Sequence, residues 1–325
     1  VRHQSPIIGI DRVVLRGGRV LGLSHSLKSI RLWTLPDMQP GAPDVLHFDA
    51  DNDIRDARFV NAGRTPRILV RLNAEVRLCN LQQPTTDMRI AAESTIRHVH
   101  WIERAPKGCA ILIVSSDTVT VWDAQSGRPL TKAIKALTGE DDRSRLLNAM
   151  WIEEPSGRGA LLTWSTTRVR LWDGASGELR CELRAWRDRP PQTLMGILYR
   201  PDKDHLRVKC EHRSGENPAI IVICYDQIRR WDPWNDKVSE PFGHTSEITD
   251  ATWIQDANGR LGVVSSAWDG SLRVWDGDSG QERKRFVSSP EPRSLLRAPQ
   301  GYAQPAVVAV DFGDGAVGVF DVDLR

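Results

Sequence analysis

Gly243-His244, Ile248-Thr249-Asp250-Ala251-Thr252-Trp253-Ile254, Arg260-Leu261-Gly262-Val263-Val264-Ser265-Ser266, Trp268-Asp269-Gly270 and Leu272-Arg273-Val274-Trp275-Asp276 decide how this chain is read. They form three short apolar runs separated by turn residues. The first ends in Trp253-Ile254, the second runs into an Asp-Gly turn, and the third alternates with period two. Runs of this length bounded by Gly, Asp and Asn predict strands joined by tight turns. Glu282 to Val287 supplies a fourth strand.

The ending of this stretch recurs. It returns at Ile30 to Trp33, Val76 to Cys79, Val119 to Asp123, Val169 to Asp173, Ile228 to Asp232 and Val317 to Asp321. The Trp-equivalent positions are Trp33, Cys79, Trp122, Trp172, Trp231, Trp275 and Phe320, spaced by 46, 43, 50, 59, 44 and 45 residues. A second marker keeps phase with the first. Trp101-Ile102, Trp151-Ile152 and Trp253-Ile254 each lie 21 or 22 residues before their Trp, and Phe59-Val60 lies 20 before Cys79. A recurring period of about 40–45 residues, each repeat holding four strands, predicts one propeller blade per repeat.

With Gly-His at its start and Trp-Asp at its end, the stretch from Gly243 to Asp276 resembles a WD40 repeat, and the resemblance covers nearly all 325 residues. The fold it implies is all-β: a seven-bladed β-propeller of four-stranded blades forming one domain over residues 1–325. In WD40 propellers the N-terminal segment commonly supplies the outer strand of the last blade. Val1 to Ser5 is one strand long, and five residues follow Phe320, so that closure is expected here; without it two sheet edges stay open. The 59-residue spacing is assigned to an insertion of about ten residues within Pro201 to Pro218 of the fifth blade.

The resemblance also assigns a hydrogen-bonded set of His244, Ser265, Asp269 and Trp275. An Asp–His–Ser series invites comparison with a hydrolase triad. Its order and spacing match the family's structural network, and a Ser inside a blade has neither a cleft nor an oxyanion hole. Only the sixth blade has the full set, so the other blades are expected to depend more on apolar packing. Arg31, Arg77, Arg170, Arg229 and Arg273 each stand two residues before the Trp position. Solvated blade-edge positions are the reading preferred for them.

Other chemistry is sparse. There is no Gly-rich phosphate loop, no H-E-x-x-H and no G-x-S-x-G. The five cysteines are odd in number and contain no C-x-x-C pair, as expected of reduced thiols in a cytoplasmic protein. His98 and His100 share a strand face and read as a packed or surface pair. His205, Cys210 and His212 fit no zinc spacing, so neither metal nor cofactor is expected. The longest apolar run, Ala219 to Cys224, is far short of the roughly 20 residues that span a bilayer.

Net charge is +2, from 44 basic and 42 acidic residues. This balance argues against a dedicated nucleic-acid binder, although 36 of the basic residues are Arg. The expected function is a non-catalytic scaffold or sensor binding a protein or peptide, as part of a larger polypeptide. Degenerate, Arg-rich WD40 propellers are similar to the sensor regions of bacterial multidomain proteins. The alternatives are a propeller hydrolase or lyase with its site at the central channel, and an RNA-binding propeller. The partner face is placed on loops of blades four to six: Asp142 and Arg143, Trp186, Arg187 and Arg189, and Trp268. Trp and Arg dominate binding hot spots.

Overall fold

The computed structural model describes residues 5–322 except 16–17, 19, 36–38, 48–51, 63–64, 82–85, 105–107, 138–144, 185–205, 213–214, 256–258, 289–291, 298–305 and 314–315. Among these residues there are strands and turns and no helix. The first sheet contains β1 (Gly9–Val14), β2 (Val20–His25), β3 (Ser29–Leu35) and β4 (Gln39–His47). The second contains β5 (Asp56–Ala62), β6 (Thr65–Arg71), β7 (Glu75–Asn80) and β8 (Thr86–Ala91). The third contains β9 (Ile96–Arg104), β10 (Gly108–Ser115), β11 (Thr118–Asp123) and β12 (Ile134–Lys135). The fourth contains β13 (Leu146–Glu153), β14 (Gly159–Ser165), β15 (Arg168–Asp173) and β16 (Leu179–Arg184). The fifth contains β17 (Leu206–Glu211), β18 (Ala219–Cys224), β19 (Gln227–Asp232), β20 (Lys237–Val238) and β21 (Phe242–Gly243). The sixth contains β22 (Ile248–Gln255), β23 (Leu261–Ala267), β24 (Ser271–Asp276) and β25 (Glu282–Val287). The last contains β26 (Ser294–Arg297), β27 (Ala306–Gly313) and β28 (Ala316–Val322).

Within each sheet the strands follow chain order, and β21 adds to the fifth sheet beside β19. Repeated four-stranded antiparallel sheets are the architecture of a propeller-like all-β fold. Residues 1–4, on which the expected closure rests, lie outside the described residues.

The chain divides into two compact units: 1–151 with 173–178, and 152–172 with 179–325. In both, the cores lie between consecutive sheets. In the first unit Leu23 and Ile30 pack with Ile54, Ile68 and Leu72, and Val60, Leu69 and Leu78 pack with Val99, Ile111 and Ile113. In the second, Ile221 and Ile223 pack with Trp253, Val263 and Trp275. The second strand of a sheet is covered on both faces, which is why Ala219–Cys224 and Leu261–Ala267 are buried at every residue. Each such Ile or Val side chain contributes about 1.5–3 kcal/mol by leaving water.

Local chemistry repeats with the sheets. Asp123, Asp173 and Asp276 each accept the amide N–H groups of the residues two and three further on. The turns end at Gly127, Gly177 and Gly280, whose φ values of 68°, 73° and 70° suit glycine. In the fifth sheet Asp232 makes the same bonds to Trp234 and Asn235, and Asp236 takes the left-handed position at φ 51°. The outer strands of the second, fourth and sixth sheets each hold one extra residue, Asp87, Arg180 or Arg283, opposite the step into Cys79, Trp172 or Trp275.

The expected insertion in the fifth blade needs correction. Leu206–Glu211 is not irregular chain but the first strand of the fifth sheet, in continuous antiparallel register with β18. Leu206 and Val208 are buried and pin that register. The insertion therefore does not include Leu206 to Glu211. Cys210 sits on β17, facing Ile220 across the ladder, and is not in a loop.

Candidate functional site

The sixth sheet carries the densest polar cluster. Gly243 pairs with Gln227, and the amide of His244 donates to the Asp226 carbonyl at 2.8 Å. This delivers the imidazole beneath the turn between β23 and β24. His244 Nδ1 lies 3.1 Å from Asp269, and Nε2 lies 2.7 Å from Ser265 Oγ. The Trp275 indole N–H donates to Ser265 Oγ at 2.7 Å. His244, Ser265, Asp269 and Trp275 thus stand in one hydrogen-bonded set. With Ser265 Oγ accepting from the indole, its own proton turns to His244 Nε2, and Nδ1–H turns to the carboxylate.

That set has the order of an acyl-transfer triad but not its access. Ser265 is fully buried, and both directions of its hydroxyl are satisfied inside the sheet. A nucleophile needs an open side where the reacting carbon can sit about 3 Å away. The chemistry available here is mutual satisfaction of buried polar groups.

The cluster extends beyond the four residues. Asp269 also accepts from the Ser271 amide and hydroxyl, from the Thr245 amide and hydroxyl, and from Arg273 Nη2. Burial pushes the Asp269 carboxyl upward, but bonds from Ser271 and Thr245 and the His244 charge outweigh it and hold the group well below the usual range. Burial lowers His244, with Asp269 opposing.

This arrangement makes the protein sensitive to acid. The unfolded chain binds a proton at His244 near its ordinary value of 6.5, which the folded chain resists. Stability is therefore lost as pH drops below about 6.5, and Asp269 adds a second loss below about 3.8. His25 and His100, both lowered chiefly by burial, act in the same direction. Between pH 8 and 5 the melting temperature should fall, and His244→Gln should reduce that slope. An unchanged slope in the variant would remove His244 from this account.

The arginine series also departs from its expected solvated setting. Arg77, Arg170 and Arg273 are only 5%, 2% and 8% exposed. Each is neutralised by a glutamate: Arg77 by Glu75 at 2.8 Å, Arg170 by Glu182 at 2.7 Å and Arg273 by Glu282 at 3.1 Å. Arg273 also lies over the Trp275 ring at 5.8 Å. Period two correctly puts these residues on the Trp face, but that face is covered. Their glutamate partners were the sequence signal to look for.

Partial networks outside the sixth sheet were missed as well. Trp33 Nε1 donates to Ser24 Oγ at 3.4 Å, and Trp172 Nε1 donates to Thr163 Oγ1 at 2.8 Å. In both pairs the hydroxyl stands nine residues before the Trp, one fewer than from Ser265 to Trp275.

Of the residues assigned to a partner face, Trp268 is 42% exposed beside the Asp269 turn, its amide held by the Glu247 carbonyl at 3.0 Å. Asp142, Arg143, Trp186, Arg187 and Arg189 lie outside the described residues, as does His205. His98 and His100 stack at 6.2 Å, and His100 Nε2 bonds Asn148 Oδ1 at 2.7 Å. Among the described residues no three His, Cys, Asp or Glu side chains converge as metal ligands. Burial pushes the Cys210 thiol up to about 12, away from thiolate chemistry.

Compared with models of known protein families and with curated proteins, the chain matches none in either set. Its functional reading rests on its own residues.

Proposed function

We propose that this chain is a WD40-like propeller of seven blades, one domain closed by its N-terminal segment, that acts as a non-catalytic binding module for a protein or peptide. The seven antiparallel sheets found among the described residues, with repeated Asp-x-x-x-Gly turns, support the architecture. Among the described residues β28 is the terminal strand of a three-stranded sheet, the edge to which a closing strand would add. The binding role rests on one observation, the exposure of Trp268 on the turn of the sixth blade. A large aromatic kept out of the core beside a rigid network is the anchor type that dominates interfaces. None of the five cysteines is joined in a disulfide, which suits a reducing compartment. Among the described residues no helix is long and apolar enough to cross a membrane.

The test is a pull-down from native lysate with the wild type and a Trp268→Ala/Arg187→Ala double variant, both checked for equal melting temperature. The double variant should lose the captured protein. Undiminished capture by a folded double variant would move the binding site elsewhere.

A further inference from the structure

Two first strands carry an extra residue at the same station. In β9 the pairing steps from His98↔Val114 to Ile96↔Ser115, leaving Arg97 outside the ladder. In β22 it steps from Asp250↔Ser266 to Ile248↔Ala267, leaving Thr249 outside. A bulge disrupts the ladder locally and re-aims its side chain, and the carbonyls it releases need other donors. In both places a guanidinium of the preceding sheet supplies them. Arg71 Nη1 donates to the carbonyls of Ile96 at 3.2 Å and Arg97 at 2.9 Å. Arg207 Nη2 donates to the Ile248 carbonyl at 2.5 Å, and its Nη1 donates to that of Thr249.

The two bulged side chains differ in what they do. The Thr249 hydroxyl is used within the fold, bonding Ser266 Oγ at 2.8 Å and the Pro292 carbonyl at 3.1 Å. Arg97, at the same station, makes no side-chain hydrogen bond or ion pair to any described residue, and its Nε is shut off from water. A buried donor without an acceptor is costly, and a native structure that keeps one invites a missing partner.

The surroundings define that partner's charge. Arg58 Nη2 is held on the Val99 carbonyl at 2.6 Å, two residues along β9 from Arg97. Burial lowers the Arg71 guanidinium, with Asp56 opposing and the charges of Arg55 and Arg58 adding, so these three cations share one neighbourhood. Asp53 is taken by Lys28 at 2.7 Å and Arg55 at 3.7 Å, leaving Asp56 as the nearby counter-charge among the described residues. The stacked His98–His100 pair lies on the same strand.

We propose that Arg97, at a bulge whose strand carbonyls are held by Arg58 of β5 and Arg71 of β6, forms an oxyanion site that takes a phosphate or carboxylate group. Arg58 and Arg71 have donors committed to backbone carbonyls and act chiefly as fixed charge. Arg97 supplies the planar fork that can meet two oxygens at once. The site is independent of the Trp268 surface.

The experiment is isothermal titration of the full chain at low ionic strength with inorganic phosphate and, separately, with triglutamate. Wild type, Arg97→Met, Arg97→Lys and Arg184→Met are compared, the last as a 78% exposed arginine elsewhere. Saturable binding of at least one probe is expected. Phosphate alone identifies a phosphoryl source and triglutamate alone a carboxylate source. Arg97→Met should weaken binding roughly tenfold or more, Arg97→Lys less, and Arg184→Met not at all. The proposal is overturned by no saturable binding of either probe, by undiminished binding to Arg97→Met, or by equal weakening in Arg184→Met. If Arg97→Met does not fold, Arg97→Lys decides, since it must still bind more weakly than wild type.

Discussion

Replacing Asp269 by alanine is expected to destabilise the second unit by about 3–5 kcal/mol, the range for removing one partner of a buried charge cluster. Six bonds converge on this carboxylate: from the Ser271 amide at 3.0 Å and hydroxyl at 2.6 Å, the Thr245 amide and hydroxyl at 3.2 Å each, and His244 Nδ1 and Arg273 Nη2 at 3.1 Å each. Its loss leaves the buried Arg273 with Glu282 as its remaining carboxylate and the buried imidazole Nδ1 with Ser271 Oγ, at 3.1 Å, in place of the carboxylate. Against a typical total of about 5–15 kcal/mol this is a large fraction. Urea unfolding measures it, and Asp269→Asn, which keeps an acceptor oxygen, should lie between alanine and wild type. A loss below about 1 kcal/mol, the value of an exposed pair, would mean that water screens the cluster.

Gly243→Ala is expected to cost about 3 kcal/mol or more by overpacking. A Cβ at this position would lie 1.9 Å from the Asp226 carbonyl oxygen and 3.0 Å from the Gln227 Cα. Both are backbone atoms, so no rotamer change relieves the clash. The strand pair β21–β19 must separate, and the His244 amide must leave the Asp226 carbonyl. The glycine of the Gly-His pair is therefore required by close approach of two backbones. Calorimetric melting measures the effect; a variant within about 0.5 kcal/mol of wild type, the range of neutral surface changes, would show that this contact opens freely.

The all-β character and most strand positions were legible because they depend on neighbours in sequence. Alternation in Leu272 to Trp275, the continuous apolar run of Ala219 to Cys224, and Asp-x-x-x-Gly turns closed by amide-to-carboxylate bonds are all local. The convergence of His244, Ser265, Asp269 and Trp275 was legible for a different reason: three of them lie on one hairpin, and His244 stands just before the strand that precedes that hairpin.

What lay beyond the sequence depends on which surface covers which. Period two puts Arg77, Arg170 and Arg273 beside the Trp but does not say that a neighbouring sheet buries that face. Leu206 to Glu211 was included in the range of an insertion because it becomes a recognisable strand only when its register against β18 is known. The bulge at Arg97 has no mark in the sequence, since it exists only as a slip between two paired strands. Sequence alone determined the strands, their turns and their repetition, because local alternation and hydrogen bonding suffice for these. Only the tertiary structure decided which charges are buried and which side chain is left without a partner, because desolvation and register arise when sheets meet.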